Sequence, residues 1–508
     1  MGKSLGMFFP AVIRVFLLVA LSTATASTQT TQIWQGGFKT EQFWGGMELV
    51  FTDVSGKTEV QARFTPRGHL VTPALQETRI QRNAIGFVVN LNGIDYRFTG
   101  QQKGAKWMGT FRSEKEPRTG SWALTRVPLL AEVTAGELLP PTGSLRVGRA
   151  QFHWTDESRP ELESRIPDDS RELIVYVFYP ASRTVAGGVA TYIPDVDVMR
   201  GADWTDAQIS HLKSVRTHTW QDAPVETSRR PFPVVIFMPG GGQKTLLYTA
   251  LFEELVSHGY VVAAVQPPFS AGFVRLPNGK ISGSLPFAER GWETPKSRDD
   301  MPRIYEQMVV HWARDMSFVL DQLTVLNERD ERFAGTIDVG RVGALGHSRG
   351  GQAAGKVRLL DSRFSAGVNL DGNIRGVGFP PDALAGGGTQ PFLWIEKQLP
   401  WPTKDSKEQT IQQFESMWAN GDRLMASIAG QSFRVAIGKP EIGHLDFGDT
   451  AMLNPTLNVI SRTAKLRTAA ITRAVILSFF DRHVKRLANR RVEELAQQYP
   501  EIRVTRYK

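Results

Sequence analysis

The stretch Val342-Gly343-Ala344-Leu345-Gly346-His347-Ser348-Arg349-Gly350-Gly351-Gln352-Ala353-Ala354 decides how the chain is read. Apolar residues bounded by glycine form the pattern of a buried strand, and small helix-compatible residues follow. Between them stands Gly346-His347-Ser348-Arg349-Gly350, the Gly-x-Ser-x-Gly pattern of a nucleophile elbow. A sharp strand-to-helix turn forces the serine into a strained backbone, and side chains two residues to either side would collide. The hydroxyl then stands clear of the sheet at a helix N-terminus, where N–H groups can stabilise an oxyanion. Context matters, because Gly2-Lys3-Ser4-Leu5-Gly6 fits the same pattern with no strand before it.

Outward from the elbow, strand and helix patterns alternate. Candidate strands are 145–154, 173–179, 233–238, 260–265, 341–346, 364–370, 392–396 and 433–437; candidate helices are 246–258, 303–327, 349–360 and 466–488. Inserts near 182–231, 267–301 and 398–430 fit caps and substrate walls, with Phe269, Phe273, Trp292, Trp401 and Trp418 as candidate wall residues or ordinary cap packing. The charged tail from Asn489 reads as peripheral. No internal repeat is visible.

A serine nucleophile needs a base, and the base needs an orienting carboxylate. A helix of about 12 residues descends roughly 18 Å from Ser348 at 1.5 Å each. The strand 364–370 then climbs about 23 Å at 3.3 Å each. Asp371 therefore lands on the same sheet edge, one strand over, where such sheets place their ligands. Glu396 arrives in the same way one strand later and is the rival acid. His444 follows the last strand of the series within Lys439-Pro440-Glu441-Ile442-Gly443-His444-Leu445-Asp446-Phe447 and is the best-placed base. His347 would point away from the hydroxyl as a packed elbow residue. The order Ser, Asp, His is that of α/β-hydrolases. For the oxyanion hole the candidates are the Arg349 N–H and one from Pro239-Gly240-Gly241-Gly242; Gly241 is preferred, with Gly240 and Gly242 as alternatives. The Arg349 side chain could hold a substrate carboxylate or phosphate, or serve as a structural ion-pair partner.

Residues 1–26 have the features of a secretory signal peptide: Lys3 and Arg14, an apolar run from Val15 to Leu21, and the small residues Ala24-Thr25-Ala26. The formal charge is +9, and removing Lys3 and Arg14 leaves +7 on residues 27–508, spread along the chain without a nucleic-acid motif. The absence of cysteine removes disulfides, zinc-thiolate sites, a cysteine nucleophile and a lipidated N-terminal Cys. Export without disulfides suggests a bacterial periplasmic or secreted protein without a membrane anchor after cleavage.

Residues 31–127 show period-2 patterning with turn signals at Ser55-Gly56 and Asn92-Gly93, an antiparallel meander or small barrel. Trp34, Trp44, Trp107 and Trp122 could line a ligand cavity there, although core packing is the commoner use of such residues. Leu139-Pro140-Pro141-Thr142-Gly143 punctuates the chain. The expected division is a signal peptide over 1–26, a β domain over 27–138 and a catalytic α/β domain over 139–508.

The motifs together resemble the plasma-type (isoform II) platelet-activating-factor acetylhydrolase family of α/β-hydrolases, roughly from residue 143 to 485. Members carry Gly-His-Ser-Phe-Gly-Gly, matched by Gly346 to Gly351 with Arg349 in place of Phe, a form that also resembles chlorophyllases. Leu370-Asp371-Gly372 matches the family's acid, and His444-Leu445-Asp446-Phe447-Gly448-Asp449 its His-x-x-Phe-x-Asp base motif. Ser257-His258-Gly259-Tyr260-Val261-Val262 and Val215-Arg216-Thr217-His218 also look like family stretches. Pro239-Gly240 replaces the usual His-Gly of the oxyanion loop. The resemblance implies a mostly parallel sheet flanked by helices, a triad of Ser348, Asp371 and His444, and a bacterial carboxylic ester hydrolase working through an acyl-enzyme on a small-molecule or lipid ester. It implies no cofactor and no metal. The N-terminal segment lies outside it and resembles an accessory domain of some bacterial hydrolases. The rivals are a hydrolase of thioesters, polyesters or peptides on the same fold, and a catalytically silent binding protein.

Overall fold

A computed structural model describes residues 30–507 apart from 42–43, 55–56, 67, 92, 114–117, 128–132, 165, 167, 184–187, 203, 228–230, 271, 284–299, 375–387, 401–406 and 440–441. The expected signal peptide, the Ser55-Gly56 turn, Asn92, Trp292 and Trp401 lie outside the described residues.

The first sheet has eight strands: β1 (Thr30–Lys39), β2 (Trp44–Val54), β3 (Lys57–Pro66), β4 (Gln76–Gln81), β5 (Ala84–Leu91), β6 (Ile94–Lys103), β7 (Lys106–Ser113) and β8 (Thr119–Val127). All pairs are antiparallel, in the order β3-β2-β1-β8-β7-β6-β5-β4. Alternate residues such as Met47, Leu49 and Phe51 of β2 turn inward, as a period of 2 requires. The sheet curls far enough for Phe64 of β3 to meet Phe98 of β6, ring centroids 5.5 Å apart. Its outer strands are not laddered together among the described residues, where a single bridge from Phe64 to Val71 stands at the opening. The result is a half-barrel rather than a closed one. Trp34, Trp107 and Trp122 are buried in its core rather than lining a cavity, whereas Trp44 reaches across to the second sheet.

The second sheet has ten strands in a chain that continues β9 (Arg146–Pro160), β10 (Ser170–Ala181), α1 (Asp206–Ser214), β11 (Thr219–Gln221), β12 (Phe232–Met238), α2 (Thr249–Ser257) and β13 (Val261–Gln266). A small hairpin, β14 (Val274–Arg275) and β15 (Ile281–Ser282), precedes α3 (Met301–Arg329), β16 (Ile337–His347), α4 (Arg349–Leu360), β17 (Phe364–Leu370) and β18 (Phe392–Lys397). The chain ends with α5 (Glu408–Ser427), β19 (Ser432–Ile437), α6 (Val459–His483), α7 (Leu495–Gln498) and β20 (Ile502–Tyr507). The order is β11-β9-β10-β13-β12-β16-β17-β18-β19-β20. The sheet is mixed. A parallel run from β13 to β19 carries the elbow, and antiparallel pairs flank it at β9, β10 and β20.

Strands inside a two-faced sheet read as continuous apolar runs because both faces are covered. In β12, Val235 and Phe237 face the layer of α2 and α6, while Val234, Ile236 and Met238 face that of α3 and α4. The tail is not peripheral, since β20 pairs along the whole of β19. Ile502 and Val504 pack on the layer of α6, and Tyr507 packs with Trp394 and with Leu424 and Met425 of α5.

Candidate active site

The parallel ladder sets the site's register. His347 stands opposite Leu370, and Leu370 opposite Ile395, so Ser348 and Asp371 both leave the sheet at the same edge on adjacent strands. Ser348 has φ 54° and ψ −120°, left-handed for an L residue, and caps α4. Its N–H donates to the Leu370 carbonyl at 2.8 Å, and its own carbonyl accepts from Gln352 N–H at 3.2 Å. The glycines are required by contact: a Cβ on Gly346 would lie 2.1 Å from the Gly350 oxygen, and one on Gly350 would lie 2.1 Å from the Met238 oxygen.

Asp371 is also left-handed, at φ 48°. Its N–H donates to Ile395 O at 2.7 Å, and its Oδ1 accepts the Lys397 N–H at 3.1 Å. Oδ2 accepts from His444 Nδ1 at 2.6 Å. The acid's side chain is 8% exposed and the imidazole 41%, so the pair keeps its carboxylate out of water while the ring stays open to a ligand. Glu396, the rival acid, is turned into a buried ion pair with Arg434 at 2.6 Å, and Arg434 in turn lies over the Trp394 and Trp418 rings. Trp418 is therefore occupied in packing.

His347 does more than pack. Its Nε2 donates to the His444 carbonyl at 3.0 Å, which leaves Nδ1 to accept from the Tyr248 hydroxyl at 2.7 Å. Tyr248 also accepts the Gly240 N–H. Burial, reinforced by the neighbouring His444, pushes the His347 imidazole down to about 3, so it stays neutral and keeps this tautomer. The elbow residue thus ties the backbone of the base to the glycine loop. Tyr248 was not anticipated; a Tyr facing a buried His leaves no periodic mark in the sequence.

The His-x-x-Phe-x-Asp motif has a physical reading here. Phe447 packs beside the His347 ring, with centroids 6.1 Å apart, and Asp449 anchors the loop to the start of α2 through the Ala250 N–H and to the segment after β10 through the Tyr192 hydroxyl. Burial pushes the Asp449 carboxyl up to about 8. Elsewhere, His258 ends α2 as a C-cap, His218 pairs with buried Glu253, and His211 bonds the Leu453 carbonyl.

Of the three loop glycines, Gly240 N–H is taken by Tyr248 and Gly242 N–H by the Ser270 carbonyl at 2.9 Å. Gly241 is exposed, and its N–H has no partner among the described residues. The first N–H of α4, that of Arg349, is one of the groups a helix cannot satisfy internally. The Arg349 guanidinium lies 5.3 Å over the Trp312 ring and against Gly241.

Residues 163–268 match the family model "Platelet-activating factor acetylhydrolase, isoform II", a span that holds the glycine loop and ends before the elbow. A "Probable 1-alkyl-2-acetylglycerophosphocholine esterase" of Arthroderma benhamiae is 25% identical over 347 residues, covering 64% of this chain and 80% of that protein. A "Platelet-activating factor acetylhydrolase" of Cavia porcellus is 25% identical over 280 residues, with 49% of this chain and 61% of its own length covered. Among solved structures, a ferulic acid esterase from Streptomyces cinnamoneus superposes with TM-score 0.56 at 27% identity, over 73% of this chain and all of that one. The family expected from the motifs is the one these comparisons find.

Proposed function

We propose, from the premise that this chain is related to the isoform II platelet-activating factor acetylhydrolases and is a hydrolase of ester substrates, that it is an exported serine carboxylic ester hydrolase of the α/β-hydrolase fold. The observation that carries this reading is the 2.6 Å contact between His444 Nδ1 and Asp371 Oδ2 beside a serine held at φ 54°. His444 Nε2 takes the Ser348 proton as Oγ attacks the ester carbonyl. Asp371 fixes the imidazole tautomer and stabilises its cation. The N–H groups of Gly241 and Arg349 receive the oxyanion. The proton passes from His444 to the departing alcohol oxygen, leaving an acyl-serine. Water deprotonated by His444 then attacks the acyl carbon, and the acid leaves as Ser348 recovers its proton. These steps require no metal or cofactor.

The relatives' names refer to an acetylated glycerophospholipid and to a ferulic acid ester, so the chemistry in common is a carboxylic ester. Turnover of a panel of acyl chains and leaving groups by the purified protein, with Ser348→Ala as blank, tests the reading. Labelling of Ser348 by a fluorophosphonate is expected; a serine that stays unmodified would leave a silent ligand-binding protein as the better account. Export rests on residues 1–26 and the lack of cysteine, and N-terminal sequencing of protein from the culture or periplasm should begin after Ala26.

A further inference from the structure

Resting on the hydrolase reading, we infer that the N-terminal sheet positions the acid and the base by clamping the strand ends that carry them, with Trp44 and Gly46 as its contact residues. The outer face of β1, β2 and β8 is covered: Ile33, Val50 and Val127 cluster with Ile460 of α6. At the rim the contact becomes backbone on backbone. A Cβ on Gly46 would lie 1.6 Å from the Gly438 oxygen, and one on Gly438 would lie 2.3 Å from the Trp44 ring. Gly438 follows β19 directly and opens the loop that leads to His444. The next residue, Lys439, is buried and donates to the Ala464 carbonyl of α6.

The acid is reached from the same seam. Gln398 Nε2 donates to the Trp44 carbonyl at 3.0 Å, and the Gln398 N–H donates to Ile437 O at 3.0 Å. The residue before it, Lys397, donates the N–H that holds Asp371 Oδ1. One peptide unit therefore separates the first sheet's hydrogen bond from the acid's. Loops are ordinarily the mobile parts of a fold, and an error of about 1 Å in a catalytic group costs up to about a hundredfold in rate. A rigid sheet pressed on both loops is the support such a site needs.

The test uses the full chain, with p-nitrophenyl acetate as substrate and amide hydrogen exchange as a second readout. Gly46→Ala drives a Cβ into the Gly438 carbonyl; kcat is expected to fall about ten- to hundredfold with KM within about twofold, and exchange at 397–398 and 438–444 to rise. Val50→Ala weakens the same interface away from both loops and is expected to lower Tm while leaving kcat and that exchange near wild type. Should Gly46→Ala not fold, Trp44→Ala is expected to reproduce its effects and Trp44→Phe to restore most of the rate. Unchanged exchange in the folded Gly46 or Trp44 variants, or a kcat loss no larger than that of Val50→Ala, overturns the clamp. Turnover that survives Ser348→Ala sinks the serine-nucleophile reading instead, and the exchange measurement still decides the clamp.

Discussion

Among the residues with left-handed backbone, those in two hairpins of the first sheet and those at the rim of the second sheet are of different kinds. In the hairpins of the first sheet the position falls to glycine: Gly93 has φ 83° and Gly104 φ 60°, and an added Cβ would meet nothing within 4 Å of either. At the rim of the second sheet it falls to Ser348 and Asp371, at 54° and 48°. A turn needs only the shape, so glycine supplies it without strain. A side chain that must project from such a turn needs the shape and the Cβ together, at a cost of about 1–2 kcal/mol per residue. Such strain persists only where neighbours over-determine it, and here the two N–H groups are held by Leu370 O and Ile395 O.

The sharpest way to break this contrast is at the serine. Ser348→Ala should lower kcat by about 10⁵–10⁶ in the ester assay, while Ser348→Gly, equally inactive, should unfold at higher denaturant than Ser348→Ala because the strain is relieved. Next, Asp371→Asn should cost about 10³–10⁴ in kcat. Glu396→Gln should leave kcat within a few-fold but lower Tm, since it removes the buried one of the two carboxylates paired with Arg434, the other being the partly exposed Asp422. The reverse ranking of these two variants would move the acid to Glu396.

A smaller effect is read in pH. His347 titrates near its ordinary value of 6.5 in the unfolded chain and at about 3 in the native one. Between those values the unfolded state binds a proton that the native state refuses, so the contribution of His347 to stability is full above about 6.5 and is lost toward 3. His347→Gln should lessen the fall in urea midpoint between pH 7 and 4, to which buried His311 and His483 also contribute. Smallest of all, Gly93→Ala should cost about 1 kcal/mol in stability and leave kcat unchanged, as befits a left-handed residue that carries no chemistry.

Much of the rim was legible in advance because local patterns dictate it. The helix after the elbow and the strand before Asp371 fall at 349–360 and 364–370 as read from periodicity, and Asp371 and His444 are in contact. What escaped was non-local. Strand β1 carries Gly36-Gly37, and paired glycines in a strand mark a close backbone approach. The same signal stood at Gly45-Gly46, whose partner Gly438 lies at the far end of the chain. Helix α5 was concealed in an insert whose apolar face is thin. Tyr248 and β20 owe their places to partners distant in the sequence, which period counting cannot find.

The pairing of β20 along β19 bears on how the protein fails when trimmed. A chain cut before Ile502 would leave β19 with a bare row of amide and carbonyl groups, on the strand whose end feeds the loop of His444. Such a row templates further strands from other molecules. Proteolytic shaving of the last residues should therefore be seen first as turbidity, with specific activity intact in whatever stays in solution uncut.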